Sequence, residues 1–285
     1  MHNISLLTIV RGRRRHLENL LLGVSRLAIR PREVVVVFMN ESVPADLPNP
    51  GCRLRTATLR DPDHQLPLAK ARNRAAALAC CERLVFLDVD CIPGPGFLPA
   101  MVRPLLRSEA LVMGNPFYLP AGAAASGWTF RSLETKGAVH PRRPQPPAFG
   151  HERTDRYELF WSLAFAVRKS TFARMGGFDP SFVGYGGEDT DFAFTAREAG
   201  VPFYLADARC YHQHHTTCTP PYNHFDDIVT NARAFHAKWD KWPMEGWLDA
   251  FAAEGYLRRE ANDLVVLNRP TAKTILMAQS ETAFA

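Results

Sequence analysis

The segment of this chain that best indicates its fold is Leu84-Val85-Phe86-Leu87-Asp88-Val89-Asp90-Cys91. An apolar run that ends in two acidic residues two positions apart is typical of a buried parallel strand reaching the carboxyl edge of its sheet. Open α/β sheets bind ligands at that edge. Because two neighbouring carboxylates are costly to desolvate, we expect a divalent cation there, and oxygen ligands favour Mg²⁺ or Mn²⁺. The alternative is a plain strand end before a turn, since Pro93-Gly94-Pro95-Gly96 follows.

The chain has 285 residues, enough for one large α/β domain or two small ones. It begins without a secretory signal pattern and shows no uncharged stretch of membrane-spanning length, so we expect a cytoplasmic protein. Its six cysteines show no Cys-x-x-Cys pair, which indicates reduced thiols and neither a zinc ribbon nor a disulfide framework.

A formal net charge of +5 favours anionic partners such as nucleotide phosphates. The densest basic cluster is Arg11-Gly12-Arg13-Arg14-Arg15, directly after the first apolar run. This cluster is either a solvated face or part of a phosphate or nucleotide site. Nucleic acid is not an expected partner, because we find no aromatic-interleaved basic strand and no helix-turn-helix pattern.

The first half of the chain alternates strands and helices, which is the opening of a nucleotide-binding α/β sheet. Polar side chains at the first two strand ends could read a base and ribose: Thr8, Arg11, Asn40 and Glu41. An alanine-rich helix carries Lys70, Arg72 and Arg74 in its first turns, so a cation can reach the cleft that holds the carboxylates. The predicted strands cover 4–10, 33–39 and 53–58, and the predicted helices cover 17–27 and 68–81.

The middle of the chain is patterned up to residue 118 and then loses its periodicity. A helix is predicted over 97–106 and a strand over 110–118, whereas 120–156 is rich in Gly, Ala and Pro. Long irregular stretches of this kind are either functional loops or disordered. We interpret 120–156 as a mobile loop on the substrate side, with Trp128 as a candidate stacking residue.

A glycine-rich run, Gly184-Tyr185-Gly186-Gly187, leads into Glu188-Asp189 at the start of a helix that Gly200 ends. Glycines bring the backbone close to a ligand, and the helix dipole favours ionised carboxylates at its first turn. An ionised carboxylate beside such a loop is a candidate general base. The alternative is an acidic helix cap.

A strand predicted over 201–206 is followed by three histidines, His212, His214 and His215. In an extended chain His212 and His214 share one face, whereas His215 points away. His212 could therefore supply the ligand that the acidic strand lacks, with the other two as alternatives. Aromatic helices predicted over 225–239 and 244–256 should pack on the core, or else attach to a membrane surface or to a second copy of the chain.

Three motifs occur in a fixed order, and together they resemble the inverting nucleotide-sugar glycosyltransferases of the A-type (GT-A) fold. The similar group is the large family 2 with its galactosyltransferase and chondroitin-polymerase-like relatives, in which Trp usually stands at the position of Tyr185. The resemblance implies a mixed, mainly parallel sheet flanked by helices, with a C-terminal helical extension. It runs from Ile4 to about His215 on the motifs Ala71-Arg72-Asn73, Leu87-Asp88-Val89-Asp90, and Gly176-Gly177-Phe178-Asp179 leading to 184–192.

Domain boundaries follow from this resemblance. A catalytic domain would cover 1–219, with a nucleotide-binding half over 1–118 and an acceptor half over 119–219. The helical extension would cover 220–285.

The resemblance also implies a reaction and a set of residue roles. A hexose or N-acetylhexosamine would pass from a nucleoside-diphosphate sugar, with UDP favoured, to a hydroxyl of a saccharide, lipid-linked or small-molecule acceptor. Asp189 would deprotonate the acceptor, Glu188 would bind it, and attack from the opposite face would invert the anomeric carbon. The ion, Mn²⁺ or Mg²⁺, would be held by Asp90 and His212, with Asp88 near the ribose and the ion.

Two wider sets of binding residues complete this prediction. The nucleotide-sugar site would comprise Thr8, Val10, Arg11, Asn40, Lys70, Arg72, Asp88, Val89 and Asp90. The acceptor site would comprise Trp161, Tyr185, Gly186 and Gly187.

Three other functions fit part of the pattern. A sugar-phosphate nucleotidyltransferase would share the sheet, the ion and the carboxylates, but a glycine-rich phosphate loop with a lysine near the N-terminus is missing. A metal hydrolase built on the three histidines lacks a second histidine motif. A non-catalytic nucleotide-sugar-binding module would not need the pair of Glu188 and Asp189.

Overall fold

A computed structural model of the chain describes residues 3–63 and 66–281. Its centre is one large mixed sheet, and two short antiparallel ribbons, β11 with β14 and β12 with β13, lie outside it. The strands are β1 (Ile4–Val10), β2 (Glu33–Met39), β3 (Arg53–Leu59), β4 (Arg83–Leu87), β5 (Cys91–Pro93), β6 (Leu111–Tyr118), β7 (Ala138–Val139), β8 (His151–Thr154), β9 (Ala164–Arg168), β10 (Phe203–His212), β11 (Thr217–Cys218), β12 (Leu257–Arg259), β13 (Leu264–Val266) and β14 (Gln279–Ser280).

Helices cover the faces of the large sheet and form the C-terminal region. They are α1 (Arg14–Ser25), α2 (Leu68–Leu78), α3 (Phe97–Val102), α4 (Phe130–Lys136), α5 (Lys169–Arg174), α6 (Glu188–Glu198), α7 (Phe225–Trp239), α8 (Glu245–Ala253) and α9 (Ala272–Met277). Among the helices of the described residues, none has the length and apolar character needed to cross a bilayer.

The strand order of the large sheet is β3-β2-β1-β4-β9-β6-β10-β5, with β7 on β6 and β8 on β10. The first four strands of this order are parallel, β9 runs antiparallel between β4 and β6, and β10 is parallel to β6. This arrangement confirms the predicted mixed, mainly parallel sheet. β1 and β2 are buried along their whole length, which explains their unbroken apolar runs.

Two apolar layers enclose the sheet. Leucines of α1 pack on one face, and alanines of α2 with phenylalanines of α6 pack on the other. In the second layer the ring of Phe178 stacks on Phe192 at 4.3 Å, and Phe86 stacks on Phe165 at 4.4 Å. Such aromatic pairs add about 0.5–1.5 kcal/mol beyond their buried area, so they fix the start of α6 against β4 and β9.

Helix α7 packs on the core, as its apolar stripe predicted, and it also holds the glycine loop before α6. Phe235 belongs to the apolar layer of the sheet. Asn231 is buried, accepts a hydrogen bond from Val183 N at 3.1 Å and donates to Gly186 O at 2.7 Å. The C-terminal region therefore shapes the loop that precedes Glu188.

The segment 120–156 is more regular than its composition predicted. Thr129 and Ser132 form a capping box at the start of α4, where each side chain accepts from the other residue's backbone N–H. β7 and β8 then pair with β6 and β10. The prediction of a structureless loop missed these elements because they are short and are ordered by long-range pairing.

Candidate active site

The acidic turn after β4 lies beside the end of β10 because of the antiparallel pairing of β5 with β10. Cys91 is paired with His212 in this register, and Gln213 N donates to Asp90 O at 2.6 Å. Asp90 and His212 are thereby brought side by side from distant parts of the chain. The strand that carries the carboxylates and the strand that carries the histidines share one edge of the sheet.

Asp90, His212 and His215 form a group of candidate metal ligands. The Nε2 atom of His212 lies 3.6 Å from Asp90 Oδ1, and that of His215 lies 3.5 Å from Asp90 Oδ2. One ligand atom from each residue lies within 4.8 Å of the others. His214 faces elsewhere, with its Nε2 atom 2.7 Å from the backbone oxygen of Glu281.

The expectation that His214 shares the face of His212 and that His215 points away is therefore wrong. It assumed an extended chain, but β10 ends at His212 and the backbone turns after it. Alternation of side chains holds only while the backbone stays in a strand. His215 is thus a site residue that the sequence pattern assigned to the wrong face.

The donor set fits a divalent transition-metal ion. One carboxylate with two imidazoles suits Mn²⁺ or a later ion of the series better than Mg²⁺, which prefers oxygen ligands. Burial lowers the pKa of His212 to about 4, so its ring is neutral and free to coordinate. Burial alone would raise the pKa of Asp90, but His212, His215 and Arg13 hold it well below its usual range.

Arg13 forms an ion pair with Asp90 Oδ2, the oxygen that also faces His215. Arg13 comes from the basic cluster that follows β1, so that cluster does reach the acidic turn. The sequence pattern did not indicate which of the four arginines of the basic cluster would contact the acidic turn. A metal ion and this guanidinium would compete for the same carboxylate oxygen.

A second charged cluster is centred on Arg72. Its Nη1 atom lies 3.0 Å from Glu188 Oε1, and its Nη2 atom lies 3.5 Å from Asp88 Oδ1. The guanidinium is buried beside the ring of Phe178. Asp88 therefore contacts Arg72 and lies outside the group of Asp90, His212 and His215, and its role as a ligand stays a prediction.

Two carboxyl groups of this cluster have raised pKa values. Burial, followed by the charge of Glu188, raises the pKa of Asp189 to about 7. Burial raises the pKa of Asp88 to about 6, against the opposing effect of Arg72. A carboxyl group with a pKa near neutrality is well matched to accept a proton under physiological conditions.

The Gly184-Tyr185-Gly186-Gly187 loop places an aromatic ring beside these carboxylates. Its three glycines have positive φ angles of 65°, 96° and 86°, which side chains disfavour. The ring of Tyr185 stacks on His224 at 4.5 Å and on Trp247 at 5.8 Å. Burial, then the nearby Glu188 and Asp189, raises the pKa of the Tyr185 hydroxyl. This position is compatible with the acceptor contact predicted for Tyr185, Gly186 and Gly187.

The Ala71-Arg72-Asn73 and Gly176-Gly177-Phe178-Asp179 motifs meet in space. Asn73 Nδ2 donates to Phe178 O at 2.7 Å, and Phe178 N donates to Asn73 Oδ1 at 2.9 Å. Gly177 has a φ of 73°, and a Cβ there would lie 2.6 Å from Asn73 Oδ1. These hydrogen bonds join α2, which carries Arg72, to the segment that leads into α6.

The predicted nucleotide-binding residues after β1 and β2 are brought to the same edge of the sheet. Asn40 accepts from Asp61 N at 2.7 Å and donates to Asp61 O at 2.9 Å. Lys70 Nζ lies 2.6 Å from Asp61 Oδ2, so Asp61 links both residues. Thr8, Val10 and Val89 are buried, and Arg11 is half-buried. Their contacts with a nucleotide stay predictions.

Trp128 does not face this site, in contrast to its predicted stacking role. It is 5% exposed, donates from Nε1 to Asn19 Oδ1 at 3.0 Å, and lies 4.3 Å from the guanidinium of Arg26. Its aromatic ring is used to pack the segment after β6 against α1. From the sequence alone, a tryptophan in an irregular segment that packs in the core cannot be distinguished from one that contacts a ligand.

Trp161, in contrast, lies in an aromatic chain that leads to the metal-ligand group. The ring of His140 lies 5.2 Å from Trp161 and 5.2 Å from Tyr118, and Tyr118 lies 4.5 Å from His212. The guanidinium of Arg143 lies 4.9 Å from the Trp161 ring.

Arg143 is a buried cation that the sequence pattern did not single out. It is 5% exposed, and burial lowers its pKa. Nη2 donates to Gly114 O at 3.3 Å, whereas Nη1 is buried without a hydrogen-bond partner. Within residues 3–63 and 66–281 no carboxylate forms an ion pair with it. Arg143 thus provides uncompensated positive charge near the metal-ligand group.

Two protein-family models match the chain. The model described as glycosyl transferase family 2 matches residues 57–171, and the model described as the N-terminal domain of galactosyltransferase matches residues 150–216. The first match contains the acidic turn, and the second contains the glycine loop and the histidine strand. The two models meet in the segment around β9.

Curated relatives are glycosyltransferases. Validoxylamine A glucosyltransferase of Streptomyces hygroscopicus subsp. jinggangensis (strain 5008) is 27% identical over 176 residues, which are 54% of this chain and 40% of the relative. N-acetylgalactosaminyltransferase 7 of Drosophila melanogaster is 26% identical over 148 residues, which are 47% of this chain and 24% of the relative. The chain spans less than half the length of either relative.

Two solved structures share the fold. A crystal structure of GalNAc-T7 with UDP, GalNAc and Mn²⁺ has a TM-score of 0.56 at 12% identity, covering 88% of this chain and 56% of that chain. A crystal structure of S. aureus TarS 1–349 has a TM-score of 0.50 at 15% identity, covering 80% and 64%. This chain has the GT-A fold of these two structures. Its sequence is similar to family 2 over the acidic turn and to the galactosyltransferase family over the glycine loop.

Proposed function

We propose that this chain transfers a hexose or N-acetylhexosamine from a nucleoside-diphosphate sugar, UDP-linked by preference, to an acceptor hydroxyl with inversion of the anomeric carbon. The observation that carries the proposal is the meeting of two clusters at one sheet edge. Asp90, His212 and His215 form a metal-ligand group, and Asp189, with a pKa of about 7, belongs to the neighbouring carboxylate cluster. A divalent ion and a general base are the two parts that such a transfer needs.

Asp189 is the proposed base. Once ionised, it would take the proton of the acceptor hydroxyl as the oxygen attacks the anomeric carbon from the side opposite the nucleotide. Glu188 keeps one oxygen on Arg72, at 3.0 Å, so only its other oxygen is available to an acceptor. A single base with attack from the opposite face leads to inversion, through a transition state with oxocarbenium character.

Asp90, His212 and His215 are the proposed ligands of a divalent ion, with Mn²⁺ favoured by the two imidazoles. Held by these three side chains, such an ion would supply positive charge that offsets the negative charge of the departing nucleotide. Metal binding at Asp90 would release Arg13 from its ion pair. Arg13 would then be free to donate to a phosphate oxygen of the donor, and Arg143, which lies beside Trp161, would add positive charge nearby.

Two relatives support parts of the proposal. The GalNAc-T7 structure contains UDP, GalNAc and Mn²⁺ in a protein of the same fold, which favours UDP and Mn²⁺ here. The curated glucosyltransferase is named for validoxylamine A, which favours a small-molecule acceptor among the saccharide, lipid-linked and small-molecule classes. A cytoplasmic location belongs to the same proposal.

Calorimetric titration of the purified protein with UDP, GDP and dTDP, each with Mn²⁺ and with chelator, tests the donor site. We expect one nucleotide to bind in the presence of Mn²⁺ and binding to weaken by at least about tenfold with chelator. His215→Ala should weaken the Mn²⁺-dependent binding of this nucleotide, and His214→Ala, which changes a histidine outside the ligand group, is the matched control. Folded protein that binds none of the three nucleotides would contradict the proposal.

Product analysis then tests the reaction. An α-linked UDP-hexose incubated with candidate acceptors should give a β-linked product and UDP. Release of pyrophosphate instead of UDP would indicate a nucleotidyltransferase, and retention of the α-linkage would contradict the single-base mechanism.

A further inference from the structure

A second group of metal-ligating atoms lies at the opposite end of the sheet from the active site. Glu33 is the first residue of β2, and Cys80 and Cys81 lie in the turn between α2 and β4. The carboxyl ends of the same strands carry the acidic turn and the predicted nucleotide site. We propose that Glu33, Cys80 and Cys81 bind one soft divalent ion, Zn²⁺, at a structural site independent of catalysis.

The distance between the two sulfur atoms fits such an ion. Cys80 Sγ and Cys81 Sγ are 3.8 Å apart. Two thiolates held 2.3 Å from a tetrahedral zinc ion are about 3.8 Å apart, because that is the edge of the tetrahedron. One ligand atom from each of the three residues lies within 4.8 Å of the others. An ion can therefore be accommodated without separating the sulfur atoms.

The carboxylate of Glu33 has an oxygen that the protein leaves without a hydrogen bond. The side chain is fully buried, and Oε1 accepts from Ser5 Oγ at 2.7 Å and from Cys80 N at 2.6 Å. Oε2 is buried and accepts no hydrogen bond from the described residues, with Arg55 Nε 3.6 Å away. A buried carboxylate oxygen without a partner costs free energy, which coordination to a cation would offset.

The charges of the site also balance. Glu33 accepts hydrogen bonds from Cys80 N and Ser5 Oγ, and Arg55 lies beside its other oxygen, an environment that favours the ionised carboxylate. Two thiolates and one carboxylate around Zn²⁺ leave one negative charge. The guanidinium of Arg55 beside Glu33 neutralises that charge. Soft thiolate ligands favour Zn²⁺ over the Mn²⁺ or Mg²⁺ expected at the active site.

An ion can reach this site from solvent. Cys80 is exposed, whereas Cys81 is 1% exposed and faces the interior. The fourth position of a tetrahedral ion would be left for a water molecule. A bound ion would cross-link the start of β2 to the turn before β4. It would thereby stabilise β4, the strand that leads to Asp88 and Asp90.

Titration of the reduced, metal-free protein with Co²⁺ tests the site by its spectrum. Thiolate ligands give Co²⁺ an intense near-ultraviolet charge-transfer band. Asp90, His212 and His215 supply only oxygen and nitrogen and cannot give it. We expect the band to grow with added Co²⁺ until one thiolate-bound ion is present per chain, and excess Zn²⁺ to abolish it.

Variants locate the ligands. Cys80→Ser and Cys81→Ser should each remove the band, whereas Cys218→Ser, which changes a half-buried cysteine elsewhere, should keep it. Glu33→Gln should lower the Co²⁺ affinity by more than about tenfold, since loss even of a residue that only orients a ligand costs that much. Zn²⁺ should raise the unfolding temperature of the wild type by more than that of Cys80→Ser, which keeps only the site of Asp90, His212 and His215.

Cys80→Ser should fold normally, because Cys80 is exposed and serine is nearly isosteric with cysteine. Circular dichroism can check that the variant is folded. Folded, reduced wild-type protein without a charge-transfer band would overturn the proposal. A band that persists unchanged in Cys80→Ser would overturn it as well.

Discussion

The Nε2 atom of His215 lies 3.5 Å from Oδ2 of Asp90, whereas the neighbouring His214 directs its Nε2 atom to the backbone oxygen of Glu281. Two adjacent residues of the same type are thus divided between the candidate metal site and a surface contact. This division provides a matched pair of variants for the metal site.

We expect His215→Ala to weaken Mn²⁺ binding by about tenfold or more, because it removes one of the three proposed protein ligands. His214→Ala should leave Mn²⁺ affinity unchanged. Calorimetric titration with Mn²⁺ in the absence of nucleotide measures both. Equal losses in the two variants would show that neither histidine is a specific ligand.

Asp189→Asn should lower turnover by about 10²- to 10⁴-fold, because an amide cannot accept the acceptor's proton. The affinity for nucleotide should stay nearly constant, since the base acts in the transition state. The control is Asp191→Asn in the same helix, where Asp191 accepts from Trp239 Nε1 at 2.8 Å. That variant should lose thermal stability while its folded fraction keeps near wild-type turnover. Normal turnover in Asp189→Asn would contradict the assignment.

The pH dependence of kcat/KM should follow ionisation of Asp189. Its pKa is raised to about 7, so the base is protonated, and inactive, below that pH. We expect kcat/KM to fall about tenfold per pH unit below 7 and to reach a plateau above it. A profile that stays flat down to pH 5 would exclude a base with a raised pKa.

The same ionisation affects stability with a defined sign. The unfolded carboxyl group loses its proton at lower pH than the folded one, so the contribution of Asp189 to stability falls as the pH rises from about 4 through 7. Asp189→Asn should therefore become progressively more stable than the wild type over this window. Thermal unfolding at a series of pH values measures the difference.

Arg13→Gln should have opposite effects on metal and nucleotide. Arg13 occupies Asp90 Oδ2, so its removal should raise the affinity for Mn²⁺ alone. If the released guanidinium binds a donor phosphate, the affinity for UDP with saturating Mn²⁺ should fall by about tenfold. Arg15→Gln, an exposed residue of the same basic cluster, is the control. A parallel fall of both affinities would instead indicate that Arg13 only orients Asp90.

Arg143→Met should weaken the binding of UDP more than that of UMP, because the second phosphate adds negative charge near a buried cation. It should not destabilise the ligand-free protein, since it removes a buried charge that has an unsatisfied N–H. Arg142→Met, at the exposed neighbouring position, should change neither property. Loss of stability with unchanged nucleotide affinity would assign Arg143 a structural role.

Much of the fold could be predicted because it is determined by local patterns. The valine run of β2 and the apolar run of β4 are buried on both faces, and their composition alone indicates parallel strands. The start of α1 was placed three residues late, at 17 instead of Arg14, because its first residues are basic and carry no apolar periodicity. Residues 120–156 were predicted without regular structure because β7 and β8 depend on partners far away in the chain.

Local sequence patterns were enough to place the candidate acidic and basic groups at particular strand and helix ends. Acidic residues directly after a buried strand, and Glu188-Asp189 directly after glycines, are local features whose consequences follow from strand and helix geometry.

Which of these side chains meet depends on how distant segments pack together. The pairing of β5 with β10 sets Asp90 beside His212, and the turn after β10 brings His215 rather than His214 to Asp90. Arg72 meets Glu188 across 116 residues of chain. Such choices depend on register and on backbone turns between distant segments. A one-residue change in register reverses the direction of every side chain in a strand, so periodicity within one segment cannot determine them.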